Sequence, residues 1–136
     1  MDISMSQLKN LIRVGRVSTV NAEDATCTVT YTDKDDLVSA ELPVLQLGTK
    51  SNKTYWLPDV DTLVYCVFAP NPSGKGISAG AVIGCAYNDE DAPEDNDINV
   101  KSIRFADGSY IKYDNGDLTI HMTGTVTITA DTINLN

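Results

Sequence analysis

Positive charge is scarce in this 136-residue sequence. Ten Lys and Arg stand against nineteen Asp and Glu, for a formal net charge of -9. Without a basic stripe to neutralise phosphates, recognition of nucleic acid by its backbone is not expected. The same acidity disfavours docking on anionic lipid. Histidine is nearly missing, with His121 alone among strand residues, so no Ser/His/Asp arrangement can be argued from it and no cysteine has an evident activating base. The three cysteines, Cys27, Cys66 and Cys85, are widely spaced without CxxC or Cys/His pairing. That pattern gives neither a disulfide framework nor a zinc signature; each is read as a small buried apolar side chain. No apolar run reaches the ~20 residues that span a bilayer. The N-terminus lacks a basic stretch followed by an apolar one, so folding in a cytoplasm is expected.

What is present is an ordinary folding composition, 42% hydrophobic and 21% charged, enough for one domain plus an appendage. Residues 1–12 read as a short helix or arm, with Met5, Leu8, Leu11 and Ile12 at helical spacing behind Ser4 as N-cap. Strands follow at Arg13–Val20, Thr26–Thr32, Leu37–Leu47, Thr62–Ala69 and Gly80–Tyr87. Pro43 is expected at a bend or an unpaired edge. The unbroken run Leu63–Phe68 implies burial on both faces. Five strands joined by turns, with no crossover helix, point to an all-β, five-stranded OB-fold barrel over 13–88.

Residues 89–97 form an acidic linker; with Asn88 the stretch holds six acidic residues and Pro93 in ten positions. From 98 to 136 the pattern is a hairpin about Asp107–Gly108, a turn at Asn115–Gly116, then nearly unbroken alternation. Leu118, Ile120, Met122, Val126, Ile128 and Ala130 point one way, and Thr119, His121, Thr123, Thr125, Thr127 and Thr129 the other. The parity changes at Ile133 and Leu135, which predicts a bend or bulge near Asp131–Thr132. Such a strand, left alone, exposes an apolar row and an open edge. The expected remedy is an intertwined β needle built from several copies, its core formed by Leu118, Ile120, Met122, Val126, Ile128, Ile133 and Leu135.

Other features carry less chemistry. His121 shares the polar row and is expected in solvent. Asp33–Asp36 and Asp89–Asp97 lack the Gly and terminal Glu spacing of a calcium loop. Gly74–Gly80 is one position off a GxGxxG phosphate loop and precedes a strand, so it reads as a hairpin loop. Trp56, without basic neighbours, reads as a core or interface anchor. No catalytic, metal or cofactor site is expected, and the chain is read as non-enzymatic, against the rival of a cell-wall hydrolase.

Four segments carry a resemblance. They are LIRVGRVSTVN at Leu11–Asn21, YWLPDVDTLVYCVF at Tyr55–Phe68, GAVIGCAYN at Gly80–Asn88 and FADGSYIKYDNGDLTI at Phe105–Ile120. In this order they resemble the baseplate assembly protein V family of contractile phage tails, related to the spikes of type VI secretion and of R-type bacteriocins. The resemblance implies a homotrimer, an OB barrel followed by a trimeric β-helix or β-prism needle, and a place at the baseplate tip of a virion or tail-like particle. It implies baseplate hub and tail-tube proteins as partners, and a target cell envelope pierced when the sheath contracts. Some members end in a His-x-His apex that binds iron; here Met122 and Thr123 follow His121. The resemblance therefore implies a blunt needle under a separate tip-capping protein rather than an iron site. The alternative reading is an OB-fold module that binds an oligosaccharide or oligonucleotide.

Overall fold

The computed structural model describes residues 3–73 and 76–136. The expected loop at Gly74–Lys75 and the first two residues of the arm lie outside them. Apart from one short helix and a 3-10 turn, the ordered elements are strands, so the chain is all-β as expected. It divides into two compact units, Met1–Ala92 and Pro93–Asn136.

The first unit opens with helix α1, Met5–Lys9. Ser4 caps it: its hydroxyl accepts from the Gln7 amide, while the Gln7 side chain accepts from the Ser4 amide. This reciprocal box satisfies two amides that a helix start leaves without partners. The helix is shorter than the apolar spacing implied, and its buried residue is Gln7 rather than Met5 or Leu8, which are exposed. Gln7 Nε2 donates to the Gly76 carbonyl at 2.7 Å, so a polar anchor holds the helix where an apolar face was expected.

Strand β1, Ile12–Asn21, pairs antiparallel with β2, Thr26–Tyr31. The turn between them is set by Asn21, whose Oδ1 accepts from the amides of Glu23 and Asp24. After it, Ala25 takes φ 56°. The single strand expected over Leu37–Leu47 is instead two short ones, β3 at Leu37–Val38 and β4 at Leu42–Pro43, both paired with β2. Ser39 causes the break: its hydroxyl accepts from the Val29 amide and donates to the Ala40 carbonyl, a side-chain substitute for ladder pairing. Strand β5, Leu63–Pro70, lies against the other side of β1, and β6, Ile77–Cys85, against β5. The order is β3-β2-β1-β5-β6 with β4 on β2. It returns on itself through Val44, which bridges in parallel to Val82 while the Leu45 amide donates to the Val82 carbonyl at 3.0 Å.

Inside lie Val17, Cys27, Val29, Tyr31, Leu42, Val64, Cys66 and Val82, with Val20, Val44 and Phe68 packed around them. Strand β5 is not buried on both faces. Val64 and Cys66 point inward and are fully buried, whereas Tyr65 faces out at 39% exposure. Layers exist only on the inner side of this unit, so the apolar run covers more than the core consumes. Trp56 is outside the core and exposed. Cys27 and Cys66 are buried as expected, but Cys85, near the end of β6, is exposed.

The second unit holds β7, Val100–Arg104, β8, Tyr110–Asp114, and β9, Asp117–His121, in sequential antiparallel order. Asn115 and Gly116 take φ 49° and 103°, both positive as a tight two-residue hairpin requires. The long terminal strand ends early. No residue from Met122 to Asn136 belongs to a strand.

Gly15 is a tightly packed position in the first unit. A Cβ there would stand 2.5 Å from the Thr30 carbonyl oxygen and 2.6 Å from Val29 Cγ1. Gly15→Val is expected to lower stability by about 1–3 kcal/mol through overpacking. Gly84→Ala, with nothing within 4 Å of the added carbon, is expected to fall within about 0.5 kcal/mol of the parent. Urea unfolding of both variants checks the contrast.

Candidate assembly interface

The register of the second unit sorts its side chains. Ile103, Ile111 and Ile120 lie in one row across β7, β8 and β9; Lys101, Tyr113 and Leu118 lie in the row two residues away. Because side chains alternate along a strand, these rows share one face. The intervening rows, Arg104–Tyr110–His121 and Ser102–Lys112–Thr119, share the other. One face is thus apolar and the other polar, as the composition of each strand dictates.

The polar face is covered from within the unit. Asp95 accepts from Arg104 Nη2 at 2.8 Å and from the Ser102 hydroxyl, with Lys112 Nζ 3.9 Å away. Glu94 adds a second carboxylate 3.5 Å from Arg104. The Arg104 guanidinium also sits over the Tyr110 ring, 5.2 Å from its centroid. Tyr110 in turn stacks on the exposed His121 at 5.2 Å. Hydrogen bonds from Arg104 and then Ser102 hold the Asp95 carboxyl at about 2, and the same bond raises Arg104. His121 is thus committed to a stacking contact on the polar face, where sequence reasoning placed it.

The apolar face is largely exposed. Leu118 is 67% exposed and Ile120 51%, with Ile103, Phe105 and Tyr113 also exposed. Of the other needle residues read from the sequence, Met122 is half-buried, while Val126, Ile128, Ile133 and Leu135 lie exposed on the unpaired tail. The structure brings Leu118 and Ile120 together with Ile103, Ile111 and Tyr113, which sequence reasoning left out of the interface. The signal was there: Ile103, Ile111 and Tyr113 alternate with Ser102, Arg104 and Lys112. Only the hairpin register shows that they share the Leu118 face.

Where the tail leaves the sheet it is tied down. Asp107 accepts from the Ser109 amide at 2.9 Å and from the Thr123 hydroxyl at 2.7 Å, and the Thr123 amide donates to the Ser109 hydroxyl at 3.1 Å. These bonds, the Ser109 amide first, hold the Asp107 carboxyl below the usual carboxylate range. Ser109 is one of the few buried polar residues. The chain direction at Thr123 is therefore fixed although the residues beyond it pair with nothing.

The first unit offers little reactive geometry. An open cavity of about 660 Å³ is lined by Asp59, Asp61, Cys85, Glu90 and Asp91. Partial burial and then Asp59 raise the Cys85 thiol, which lowers the thiolate fraction a nucleophile needs. Glu90 is paired with Arg16 at 3.5 Å. Among the described residues no group of three or more His, Cys, Asp and Glu is placed to hold a metal ion, and no helix is long and apolar enough to cross a membrane.

The Asp95 bonds generate an acid dependence. A carboxyl held at about 2 against its usual 3.8 contributes stability above the higher value, and that contribution is lost as the pH falls through the lower. Protection of the β7 and β8 amides against hydrogen exchange is therefore expected to be level from pH 6 to about 4 and to fall toward pH 2. Asp95→Asn should remove that pH dependence while lowering protection at pH 6. Identical acid profiles for parent and variant would show that Asp95 does not hold this sheet.

No protein-family model matches the chain, and no curated protein matches it either.

Proposed function

We propose that this chain is the central spike of the baseplate hub in a contractile tail or tail-like particle, acting as a homotrimer. The observation that carries this reading is the one-sided sheet β7–β8–β9, continued by a tail on which Val126, Ile128, Ile133 and Leu135 lie exposed. Three copies wrapped about a common axis would bury Leu118, Ile120, Met122, Val126, Ile128, Ile133 and Leu135 together with Ile103 and Ile111. Each aliphatic side chain so removed from water contributes on the order of 1.5–3 kcal/mol. The edges of β7 and β9 would find partners in neighbouring copies, which removes the exposed ladder groups as well.

The first unit fits the barrel of such a spike. Its strand order, the division of the middle strand, and the parallel bridge from Val44 to Val82 that closes the order support an OB-fold barrel. In this reading the activity is mechanical. Sheath contraction supplies the free energy, and the spike transmits it to the target envelope without unfolding. An intertwined needle suits that task, because contacts to two other chains must break together before it unravels. Hub and tube proteins would bind the barrel end, and a separate protein would cap the tip.

Light scattering and native mass measurement test the reading directly. The expected mass is three times the 14.7 kDa of one chain, and a monomer at micromolar concentration would overturn it. Ile120→Asp should dissociate the trimer, since three buried carboxylates would meet at low dielectric. Thr119→Asp, on the opposite face beside Lys112, should leave it intact. Equal tolerance of both changes would show that the Ile120 face is not the buried one.

A further inference from the structure

A groove of about 510 Å³ lies in the first unit where β3 and the first half of β6 fail to meet. Among the described residues β3 pairs only with β2, and β6 pairs with β5 along its length, while its other side pairs at Val82 with Val44 and the Leu45 amide. Ala79 and Gly80 of β6 line one side, exposed Leu37 and Val38 of β3 the other, and Phe68 lies among the groove walls. Gly80 keeps its wall flat, because a Cβ there would stand 2.2 Å from the Phe68 ring.

The groove also contains a charge. Arg13 pairs with Cys66 in the register and so belongs to the inward row of β1, with Gly15 and Val17. The missing side chain at Gly15 leaves room for the Tyr31 ring, whose Cδ1 lies 3.1 Å from where a Cβ would be. Against that ring the Arg13 guanidinium lies 5.1 Å from the centroid, and it lies 5.4 Å from the centroid of Phe68. Among the described residues the Arg13 side chain makes no ion pair and no hydrogen bond, and its Nε is buried without a partner. Glu41, the one carboxylate lining the groove, is exposed and accepts instead from Asn21 at 3.4 Å. The Tyr31 hydroxyl, on a residue 1% exposed, likewise lacks a hydrogen bond of good geometry, with Ser39 and Cys66 nearby. In a chain with nineteen carboxylates to ten cations, a guanidinium held between two rings without an anion is a site awaiting one. Both hydrogen-bonding groups are costly to leave unmet away from water.

We propose that this groove binds an extended segment of a partner protein carrying an aspartate or glutamate between apolar residues. The segment lies along the open edge of β6, its carboxylate pairs with Arg13, and its apolar side chains meet Leu37, Val38 and Phe68. Strand addition to an exposed edge supplies main-chain hydrogen bonds, while a pocket under alternate residues supplies selectivity. The period of two along a strand then places the apolar residues two positions from the acidic one. The proposal stands on the first unit alone and is independent of the trimer.

The test is selection of random linear heptapeptides, displayed on yeast, against the full-length protein and against Arg13→Gln and Leu37→Glu. Circular dichroism confirms each variant's fold; Leu37 is 56% exposed, so its replacement spares the core. The parent is expected to enrich peptides with Asp or Glu flanked by apolar residues at two positions' distance. A synthetic peptide from that set should bind at least about tenfold more weakly to either variant. It should also weaken when its acid is replaced by the amide. Amide and Arg13 Nε shifts should localise binding to β3, β6 and Arg13. No enrichment, enrichment without a carboxylate, undiminished binding to Arg13→Gln, or shifts elsewhere would each overturn the proposal.

Discussion

A β-sheet has two faces, and a sheet of three strands has too little substance to bury either one by itself. The second unit meets this constraint on one side only. Asp95 and Glu94 fold back over the polar face and satisfy Arg104, and Lys112 lies within reach of the same carboxylate. Ile103, Tyr113, Leu118 and Ile120 remain open on the other, with Ile111 half-buried among them. Everything beyond His121 inherits the problem, since the tail has lost even the ladder hydrogen bonds that hold β7 to β9. The proposed trimer rests on that asymmetry.

The first unit solves the covering problem internally. Its strand order closes on itself, so Val29, Val64, Cys66 and Val82 are enclosed without help from another molecule. The closure is incomplete at one place, where Ser39 diverts the backbone between β3 and β4 and the ring order is joined only through Val44 and Val82. The charge on Arg13 falls near that gap. Two different kinds of unfinished surface therefore occur in one chain: a broad apolar one suited to identical copies, and a narrow one with a single charge suited to a different partner.

Much of this was legible in the residues. Asp107–Gly108 and Asn115–Gly116 marked both hairpins of the second unit because positive φ is demanded there and few residues supply it cheaply. Ser4 marked the helix cap because its hydroxyl can replace a missing carbonyl. Other features were hidden because they depend on what lies across the fold. Burial of β5 was overestimated because an apolar run does not tell how many layers will cover it. Cys85 resembled Cys66 in its local sequence, yet it lies near the end of its strand, where the wall is open. The split of the third strand came from the Ser39 hydroxyl, a bond that spans ten residues and leaves no periodic trace. Arg13 gave no signal at all, since its meaning depends on Tyr31 and Phe68 arriving beside it.

The sequential order of β7, β8 and β9 has a kinetic consequence. Each pairing closes a turn of a few residues, so loop-closure entropy is small and no distant segment must be found first. Hairpins of this kind form on a microsecond scale, at a rate that does not depend on how many copies are present. In the proposed trimer the tail is different, because its pairing requires a collision between molecules. Assembly would thus pass from a unimolecular phase to a concentration-dependent one at His121, with the Asp107–Thr123 bonds presenting the unpaired segment in a fixed direction. The rate-limiting encounter would be made by chains already shaped to receive each other.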